Sequence, residues 1–246
     1  MPRLFRSEVL SLKPVFRIGL PTLMMVCAWL AAAQDEENPD ASQPRPRIRY
    51  AAIGDSYTIG EGALPTEAWP NLLTKHLNES NLQVELVANP SRTGWTTLQA
   101  IEREMPVFAQ AKPDFATLLI GVNDWVQGVE ENTFRHRLTA LMDRMLELLP
   151  SKHRLLVITI PDFGVTPSGA KYGRGRNISQ GIASFNRIII EEAQRRGLRV
   201  VDIFSLSKQM QNNGSLVAPD GLHPSAKEYA AWEKMILPVA LELLKK

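Results

Sequence analysis

The chain has 246 residues, of which 44% are hydrophobic and 22% are charged, and its formal net charge is +2 at pH 7. This composition is typical of a globular protein and excludes a disordered, a fibrous or a strongly basic, nucleic-acid-binding chain. The length favours one domain, since chains usually divide only beyond about 250 to 300 residues. The single cysteine, Cys27, excludes an intrachain disulfide.

The first 33 residues have the pattern of an export signal. Four basic side chains precede an uncharged run, Ile18 to Ala33, that ends in three alanines. A basic region, an apolar region and a small-residue cleavage site in this order are typical of a signal peptide. The alternative is an uncleaved N-terminal anchor, because the run is only slightly shorter than the roughly 20 residues that span a bilayer. We therefore predict a periplasmic or secreted protein, attached to a membrane only if residues 18–33 are retained.

Residues 34–47 are rich in proline and acidic side chains and lack apolar periodicity. This composition predicts a flexible linker, which leaves residues 48–246 as the folded domain. The first 33 residues hold four of the 28 basic and one of the 26 acidic side chains. The remaining residues therefore carry 24 basic and 25 acidic side chains. This near balance predicts neither nucleic acid nor an anionic membrane surface as a partner. Nothing in the sequence indicates an oligomeric state.

From residue 48 onward, short apolar runs alternate with amphipathic segments. The runs are rich in Ile, Val and Leu with little polar alternation, as in strands buried on both faces. They are Ile48 to Ile53, Val84 to Ala88, Phe115 to Ile120, Leu155 to Ile160 and Val200 to Ile203. The clearest helical pattern spans Asn132 to Leu149 and ends before Pro150. The order of elements predicts an α/β fold, a three-layer sandwich with a parallel five-stranded sheet.

Polar and glycine-rich segments follow the predicted strands. Gly54-Asp55-Ser56 follows the first strand, residues 92–94 the second and residues 121–124 the third. Residues 162–177 follow the fourth strand, and residues 220–224 come after the fifth. The carboxyl ends of parallel strands form one edge of a sheet, and ligands of such sheets bind there. We therefore expect these segments to build one site.

Three side chains in these segments suit nucleophilic catalysis. A serine hydroxyl is a poor nucleophile until an imidazole takes its proton, and the imidazole needs a carboxylate to hold its tautomer. Ser56, His223 and Asp220 supply these three types. Two other carboxyl groups, Asp55 and Asp124, are predicted to fix their loops by accepting hydrogen bonds from backbone N–H groups.

Four blocks of the sequence, in order, resemble the marker blocks of the SGNH or GDSL hydrolases, a family of lysophospholipase-like esterases. The blocks are Gly54-Asp55-Ser56, Gly94, Gly121-Val122-Asn123-Asp124 and Asp220-Gly221-Leu222-His223. Each block alone is a weak signal, but all four in order at strand ends are a strong one. The resemblance covers roughly residues 48–246 and implies a flavodoxin-like sheet. It departs from the family name at Tyr57, where leucine is expected.

The resemblance also implies a role for each matching residue. Ser56 is the nucleophile, His223 the general base and Asp220 the acid that orients it. The backbone N–H groups of Ser56 and Gly94, with the side-chain amide of Asn123, form the oxyanion hole, which is expected to be the largest single catalytic contribution. The implied reaction is hydrolysis of a carboxylic ester through an acyl-enzyme, without a metal or a cofactor.

The substrate stays open among small acyl esters, acetylated sugars and lysophospholipids, because similar folds serve different chemistries. The lack of an obvious lipid-binding amphipathic surface favours a small soluble ester or a sugar ester. A thioesterase or an acyltransferase with the same triad is one alternative. A non-catalytic surface binding module is a more remote one.

Two features near the predicted site have two interpretations each. Trp95 and Trp125 flank the oxyanion residues, and they are expected either to bind substrate or to pack their loops onto the sheet. Residues 162–177 contain four glycines and three basic side chains. They are expected to form either a mobile lid over the cleft or a solvated basic loop.

Overall fold

The structure is a computed structural model that describes residues 47–245. The predicted export signal and the linker, apart from Arg47, lie outside these residues. The strands are β1 (Ile48–Gly54), β2 (Val84–Ala88), β3 (Phe115–Leu119), β4 (Leu155–Ile158) and β5 (Arg199–Val201). Within residues 47–245, no helix is both long and apolar enough to cross a bilayer.

The helices range from single turns to five turns. The short ones are α1 (Ser56–Ile59), α3 (Thr97–Gln99), α4 (Met105–Ala111), α5 (Val122–Gln127) and α8 (Phe204–Ser207). The long ones are α2 (Trp69–Glu79), α6 (Glu131–Leu148), α7 (Ile178–Arg195) and α9 (Ala226–Leu244). A π-helical turn, Ala100–Glu104, joins α3 to α4.

All five strands are parallel, and they lie in the order β2-β1-β3-β4-β5. The prediction of a parallel five-stranded sheet is therefore confirmed. The order is that of flavodoxin-like folds, in which the chain leaves β1 in one direction and later builds the sheet in the other. Ligands of such sheets bind at the carboxyl ends of the strands where this reversal occurs. In this chain that point lies between β1 and β3.

The helices cover both faces of the sheet. Parallel strands are joined by right-handed crossovers, so a connection that runs the opposite way along the sheet lies on the opposite face. This rule puts α2 on one face and α4, α6 and α7 on the other. The packing agrees, since α2 contacts α9, while α6 contacts both α4 and α7. The three-layer sandwich that the sequence predicts is therefore confirmed.

The core is formed by apolar side chains at helical spacing on both faces. In α6 the predicted pattern is confirmed, and Phe134 and Leu138 are buried under the sheet. The Phe134 ring stacks on Phe185 of α7 with the ring centroids 4.3 Å apart. On the other face Trp69 of α2 and Trp232 of α9 are fully buried. Burial of such large side chains removes apolar surface from water, which stabilises the fold.

The early end of β4 has a visible cause in a helix side chain. The run extends to Ile160, but β4 ends at Ile158. The side chain of Asn186 in α7 takes both backbone groups of Ile160: its Oδ1 accepts from the N–H at 2.7 Å, and its Nδ2 donates to the carbonyl at 2.8 Å. Because a helix side chain satisfies these buried groups, the backbone leaves the sheet here without an unpaired polar atom.

Candidate active site

A cleft of about 230 Å³ opens at the carboxyl ends of the strands. Four of the residues that the sequence predicts for the site line it: Ser56, Gly94, Asn123 and His223. Its remaining lining is partly apolar and comes from α1 and the loop after it, from the loop after β2, from α5, from the loop after β4 and from the segment before α9. The apolar and aromatic lining residues are Tyr57, Val122, Val126, Phe163, Tyr172 and Leu222.

The nucleophile candidate lies in a tight turn between β1 and α1. Ser56 begins α1, and the Asp55 carboxyl group caps that helix by accepting the N–H of Tyr57 at 3.0 Å. A Cβ on Gly54 would lie 2.1 Å from the Thr58 hydroxyl oxygen and 2.3 Å from the Leu119 carbonyl oxygen. Only glycine therefore fits at this position, the last residue of β1. Ser56 follows two residues later, at the edge of the sheet.

The oxyanion candidates lie on two neighbouring loops that are bonded to each other. The Asn123 amide donates to the Trp95 carbonyl at 2.9 Å, and the Gln127 amide donates to the Gly94 carbonyl at 3.3 Å. Gly94 has a φ of +82°, so its left-handed backbone favours glycine. An amide nitrogen carries two hydrogens, and within residues 47–245 Asn123 uses one of them. The other is available to a ligand in the cleft.

The imidazole candidate is held by its own loop. His223 Nδ1 lies 2.6 Å from Asp220 Oδ2, and Asp220 Oδ1 accepts the N–H groups of Leu222 at 2.8 Å and His223 at 3.0 Å. Burial raises the pKa of Asp220, but these hydrogen bonds outweigh burial and hold it below its ordinary value. An ionised carboxylate only accepts, so Nδ1 is the donor, and the neutral ring keeps a free lone pair on Nε2.

The imidazole and the serine line one cleft without a direct bond. Within residues 47–245, the Ser56 hydroxyl makes no hydrogen bond to His223. Catalytic hydrogen bonds are often long or misaligned until substrate binds. His223 Nε2 instead faces Glu61, with Oε2 at 3.7 Å.

Glu61 is a cleft residue that the sequence analysis missed. The Thr93 hydroxyl donates to its Oε2, and the Tyr229 hydroxyl of α9 donates to its backbone carbonyl at 2.8 Å. Glycines with φ of +82° and +96° stand on either side of it, at positions 60 and 62. A charged side chain between two glycines, just after the nucleophile turn, is the signal that could have found it.

One group of side chains in the cleft has the composition of a cation site. The group consists of Glu61, Asp220 and His223, which each offer one ligand atom. These three atoms lie within 4.8 Å of one another. Asp220 Oδ2 is already bonded to His223 Nδ1. A metal ion would therefore compete with the hydrogen bond that orients the ring.

Three carboxyl groups that bond to backbone near Ser56 or near the Gly94 loop are fully buried: Asp55, Asp124 and Glu104. Asp124 accepts the N–H of Thr97 at 2.8 Å and its hydroxyl at 2.6 Å. With the cap formed by Asp55, this confirms the predicted loop-fixing role of both residues. Glu104, which the sequence analysis did not single out, accepts the N–H of Gly54 at 3.0 Å. Each of the three therefore fixes backbone near the cleft.

Burial dominates the acidity of these three groups. It raises the pKa of Asp55 to about 8, against the hydrogen bond from Tyr57 and with a further rise from the charge of Asp124. It also raises the pKa of Glu104 to about 8 and raises that of Asp124 above its ordinary value. A buried carboxyl group favours its neutral form because the low-dielectric interior disfavours charge.

The two tryptophans do not line the cleft. Trp125 is buried, its ring lies edge-on to Phe163 with centroids 6.0 Å apart, and the Arg176 guanidinium stacks over it at 4.0 Å. A Cβ on Gly181 would lie 1.8 Å from the Trp125 ring nitrogen, so this ring packs directly on α7. Trp95 contributes its carbonyl, which orients Asn123. The geometry thus favours the loop-packing interpretation over direct substrate binding.

The loop at residues 162–177 forms one wall of the cleft through Phe163 and Tyr172. It is bonded to the segment that carries the imidazole, since the Ser168 N–H donates to the Gly221 carbonyl at 2.7 Å. Near its other end, Arg176 donates to the carbonyl of Trp125 at 2.8 Å and to that of Val126 at 3.0 Å. These bonds fasten the loop to the walls on both sides of the cleft.

Comparison with known proteins identifies the family. The sequence of residues 52–231 matches the GDSL-like lipase/acylhydrolase family. A multidomain esterase of Ruminococcus flavefaciens is 32% identical over 123 residues, which are 50% of this chain but only 14% of that protein's length. TesA has a TM-score of 0.64 at 21% identity, with 79% of this chain and 99% of TesA covered. A family 3 carbohydrate esterase of Clostridium thermocellum has a TM-score of 0.63 at 19% identity, with 81% and 98% covered.

The two structures share this fold, and the family match spans most of the chain. It includes the turn at Ser56, the loops of Gly94 and Asn123 and the segment of His223. The matched family is that of lipases and acylhydrolases, which cleave acyl bonds by hydrolysis. The chain belongs to the GDSL-like lipase/acylhydrolase family.

Proposed function

We propose that the protein is a serine esterase that cleaves carboxylic esters through an acyl-enzyme. One observation carries the proposal: the imidazole that is bonded to Asp220 lines the same cleft as Ser56, Gly94 and Asn123. A base, a hydroxyl group and neutral hydrogen-bond donors on one cleft are what acyl transfer to serine requires.

The first half of the reaction forms the acyl-enzyme. His223 Nε2 takes the proton from the Ser56 hydroxyl as its oxygen attacks the ester carbonyl carbon. The negative charge that develops on the carbonyl oxygen is stabilised by the N–H groups of Ser56 and Gly94 and by the Asn123 amide. His223 then gives its proton to the alcohol oxygen, the carbon–oxygen bond breaks, and the alcohol leaves.

In the second half, water replaces the alcohol. His223 takes a proton from the water, and the hydroxide oxygen attacks the acyl carbon on Ser56. The proton then returns to the serine oxygen as the acid is released. Throughout, the charge of Asp220 stabilises the imidazolium that forms twice in each cycle.

Small soluble esters, including sugar esters, are the proposed substrates. The cleft of about 230 Å³ is small and has a mixed polar and apolar lining, which suits a short acyl group better than a long chain. The proposal is supported by the esterase of R. flavefaciens and the carbohydrate esterase of C. thermocellum.

A serine-directed phosphonate probe tests the mechanism. We expect it to label the wild-type protein and a Ser184→Ala control, but not Ser56→Ala. The same Ser56→Ala variant should have a kcat lower by roughly 10^5 to 10^6, because members of a triad act as a unit. A well-folded Ser56→Ala protein that keeps more than about a tenth of the activity would rule out the assignment.

Esters of increasing acyl length, with and without an added alcohol acceptor, test the substrate class. We expect the highest kcat/KM for acetyl or other short acyl groups, with the free acid as the product. A long-chain preference would favour a lipid substrate, and transfer to the acceptor would favour an acyltransferase.

We also propose that the protein is exported. The support is the basic, apolar and small-residue pattern of the first 33 residues. Mass spectrometry of the protein from its host should find a mature N-terminus at or near Gln34. A full chain that begins at Met1 in the cytoplasm would contradict export.

A further inference from the structure

We propose that Glu61 makes the enzyme select esters by the charge of their alcohol, favouring a positively charged alcohol over a neutral one of the same shape. The inference rests on the proposed function and extends it to the leaving group. Its starting point is the position of the Glu61 carboxylate, 3.7 Å from His223 Nε2.

The mechanism locates the alcohol relative to this carboxylate. His223 Nε2 must give its proton to the alcohol oxygen, so that oxygen lies within about 3 Å of Nε2 when it leaves. Glu61 Oε2 lies 3.7 Å from the same nitrogen. The substituents of the departing alcohol must therefore pass next to Glu61. We call this space, in front of Nε2 and beside Glu61, the alcohol side of the cleft.

Two hydrogen bonds and close packing hold Glu61 in this place. The Thr93 hydroxyl donates to its Oε2, and the Tyr229 hydroxyl donates to its backbone carbonyl at 2.8 Å. A Cβ on Gly62 would lie 2.7 Å from Ala218 Cβ and 3.1 Å from His223 Cβ. The segment thus packs directly on the imidazole segment, which a longer side chain at position 62 would prevent.

The charge on the alcohol side is negative. Within residues 47–245, Glu61 makes no ion pair with a lysine or an arginine, and its only ionic partner is the ring of His223. A second carboxylate, Asp220, lies on the far side of that ring. The Glu61 side chain is 36% exposed, so a ligand can reach it, although solvent partly screens its charge. Such a site attracts cations and repels anions.

Two esters of equal shape measure this selection. Acetylcholine and 3,3-dimethylbutyl acetate share the acyl group and differ in the charge of an otherwise matched alcohol. We expect the wild-type protein at low ionic strength to favour acetylcholine by about tenfold in kcat/KM, since one charge acts on another across a few ångströms of partly hydrated space. The preference should shrink as salt is added.

Glu61→Gln removes the charge and keeps the shape. In this variant we expect the ratio of the two kcat/KM values to fall to about one, whatever happens to the absolute rates. The ratio separates selection from a structural role, because a misplaced imidazole would slow both esters equally. Thr93→Val, which removes the hydroxyl that holds the carboxylate, should lower the ratio in part.

Glu79→Gln is the matched control. It removes the same charge from the last residue of α2, where the side chain is 60% exposed and pairs with Lys75. Since this residue ends a helix that runs away from the cleft, the variant should keep the wild-type ratio. A Glu79→Gln ratio that falls as far as that of Glu61→Gln would mean that net charge, and not Glu61, causes the selection.

The outcomes separate this inference from the proposed function. Equal ratios in the wild-type and Glu61→Gln proteins would overturn the inference while leaving the esterase intact. If both acetates react slowly, the rates at which methylphosphonate esters of the same two alcohols modify Ser56 give the same ratio. Failure of both hydrolysis and modification would contradict the proposed function, and the selection by Glu61 with it.

Discussion

Five carboxyl groups near the cleft fall into two sets that differ in burial and in partners. Asp55, Asp124 and Glu104 are fully buried and accept hydrogen bonds from loops and strand ends, and burial raises their pKa values. Asp220 and Glu61 are partly exposed and face the two nitrogens of one imidazole. Two of the buried acids lie next to a predicted site residue in the sequence. Proximity along the chain therefore does not distinguish an acid that holds a loop from one that faces the imidazole. Burial and hydrogen-bond partners do distinguish the two kinds.

Replacing one acid from each set tests the difference in their roles most directly. Asp220→Asn should lower kcat/KM by about 10^4, because a neutral amide neither holds the required tautomer nor stabilises the imidazolium. Its unfolding free energy should change little, since the side chain is 42% exposed. Asp124→Asn should instead lower the unfolding free energy by about 1–3 kcal/mol, because a buried acceptor of two bonds is replaced. Ester hydrolysis and urea unfolding of both variants check this.

The opposite result is easily recognised. If Asp220→Asn keeps more than about a tenth of the activity, the partly exposed acid does not serve the imidazole. If Asp124→Asn unfolds like the wild-type protein, the buried acid does not fix its loop.

Replacing Asn123 should lower kcat by less than replacing Asp220 lowers kcat/KM. Asn123→Ala should lower kcat by about 10^2 to 10^3 and change KM much less, since two backbone donors stay in place. Gln127→Ala is the control, because this exposed amide also donates to the loop, at the Gly94 carbonyl. We expect it to cost less than about tenfold. A rise in KM alone for Asn123→Ala would mean that the amide binds the ground state and the transition state equally.

The buried set should also make stability depend on pH. Glu104 has a pKa of about 8 when folded and about 4.3 when unfolded. The folded state thus keeps a proton that the unfolded chain releases, so its stabilising contribution is complete below about pH 4 and declines until about pH 8. Asp55, also near 8 when folded, acts in the same direction.

Glu104→Gln isolates this contribution, because a glutamine keeps an acceptor for the Gly54 N–H and does not titrate. Urea unfolding at several pH values between 5 and 8 should show a flatter dependence in the variant than in the wild-type protein. Parallel curves would show that Glu104 does not hold its proton in the fold.

The elements of the fold could be predicted from local sequence, because they follow from periodicity. The apolar runs predict all five strands to within about two residues at each end, and the pattern of α6 predicts that helix to within one. The early end of β4 could not be predicted, since it depends on Asn186, which lies 26 residues from Ile160.

The site residues also divide into those that local sequence predicts and those that depend on distant contacts. Ser56, Gly94, Asn123 and His223 lie in recognisable blocks at strand ends, and the fold brings them to one cleft. Glu61 and Glu104 belong to no such block. Their positions follow from contacts with Tyr229 and Gly54, 168 and 50 residues away. The glycines on both sides of Glu61 could mark it as a candidate, but no periodicity or short motif encodes its contacts at that separation.

The bond between the Tyr229 hydroxyl and the Glu61 carbonyl also bears on when the enzyme becomes active. Tyr229 lies in α9, only six residues after His223, whereas Glu61 follows the nucleophile turn closely. A chain still emerging from the ribosome has made Ser56 long before these partners exist. Contacts between such distant segments form late, because the long intervening chain must first be ordered. By the proposed mechanism, a nascent chain cannot cleave esters before Asp220 and His223 have been made, and a product truncated before residue 220 would have no base to activate Ser56.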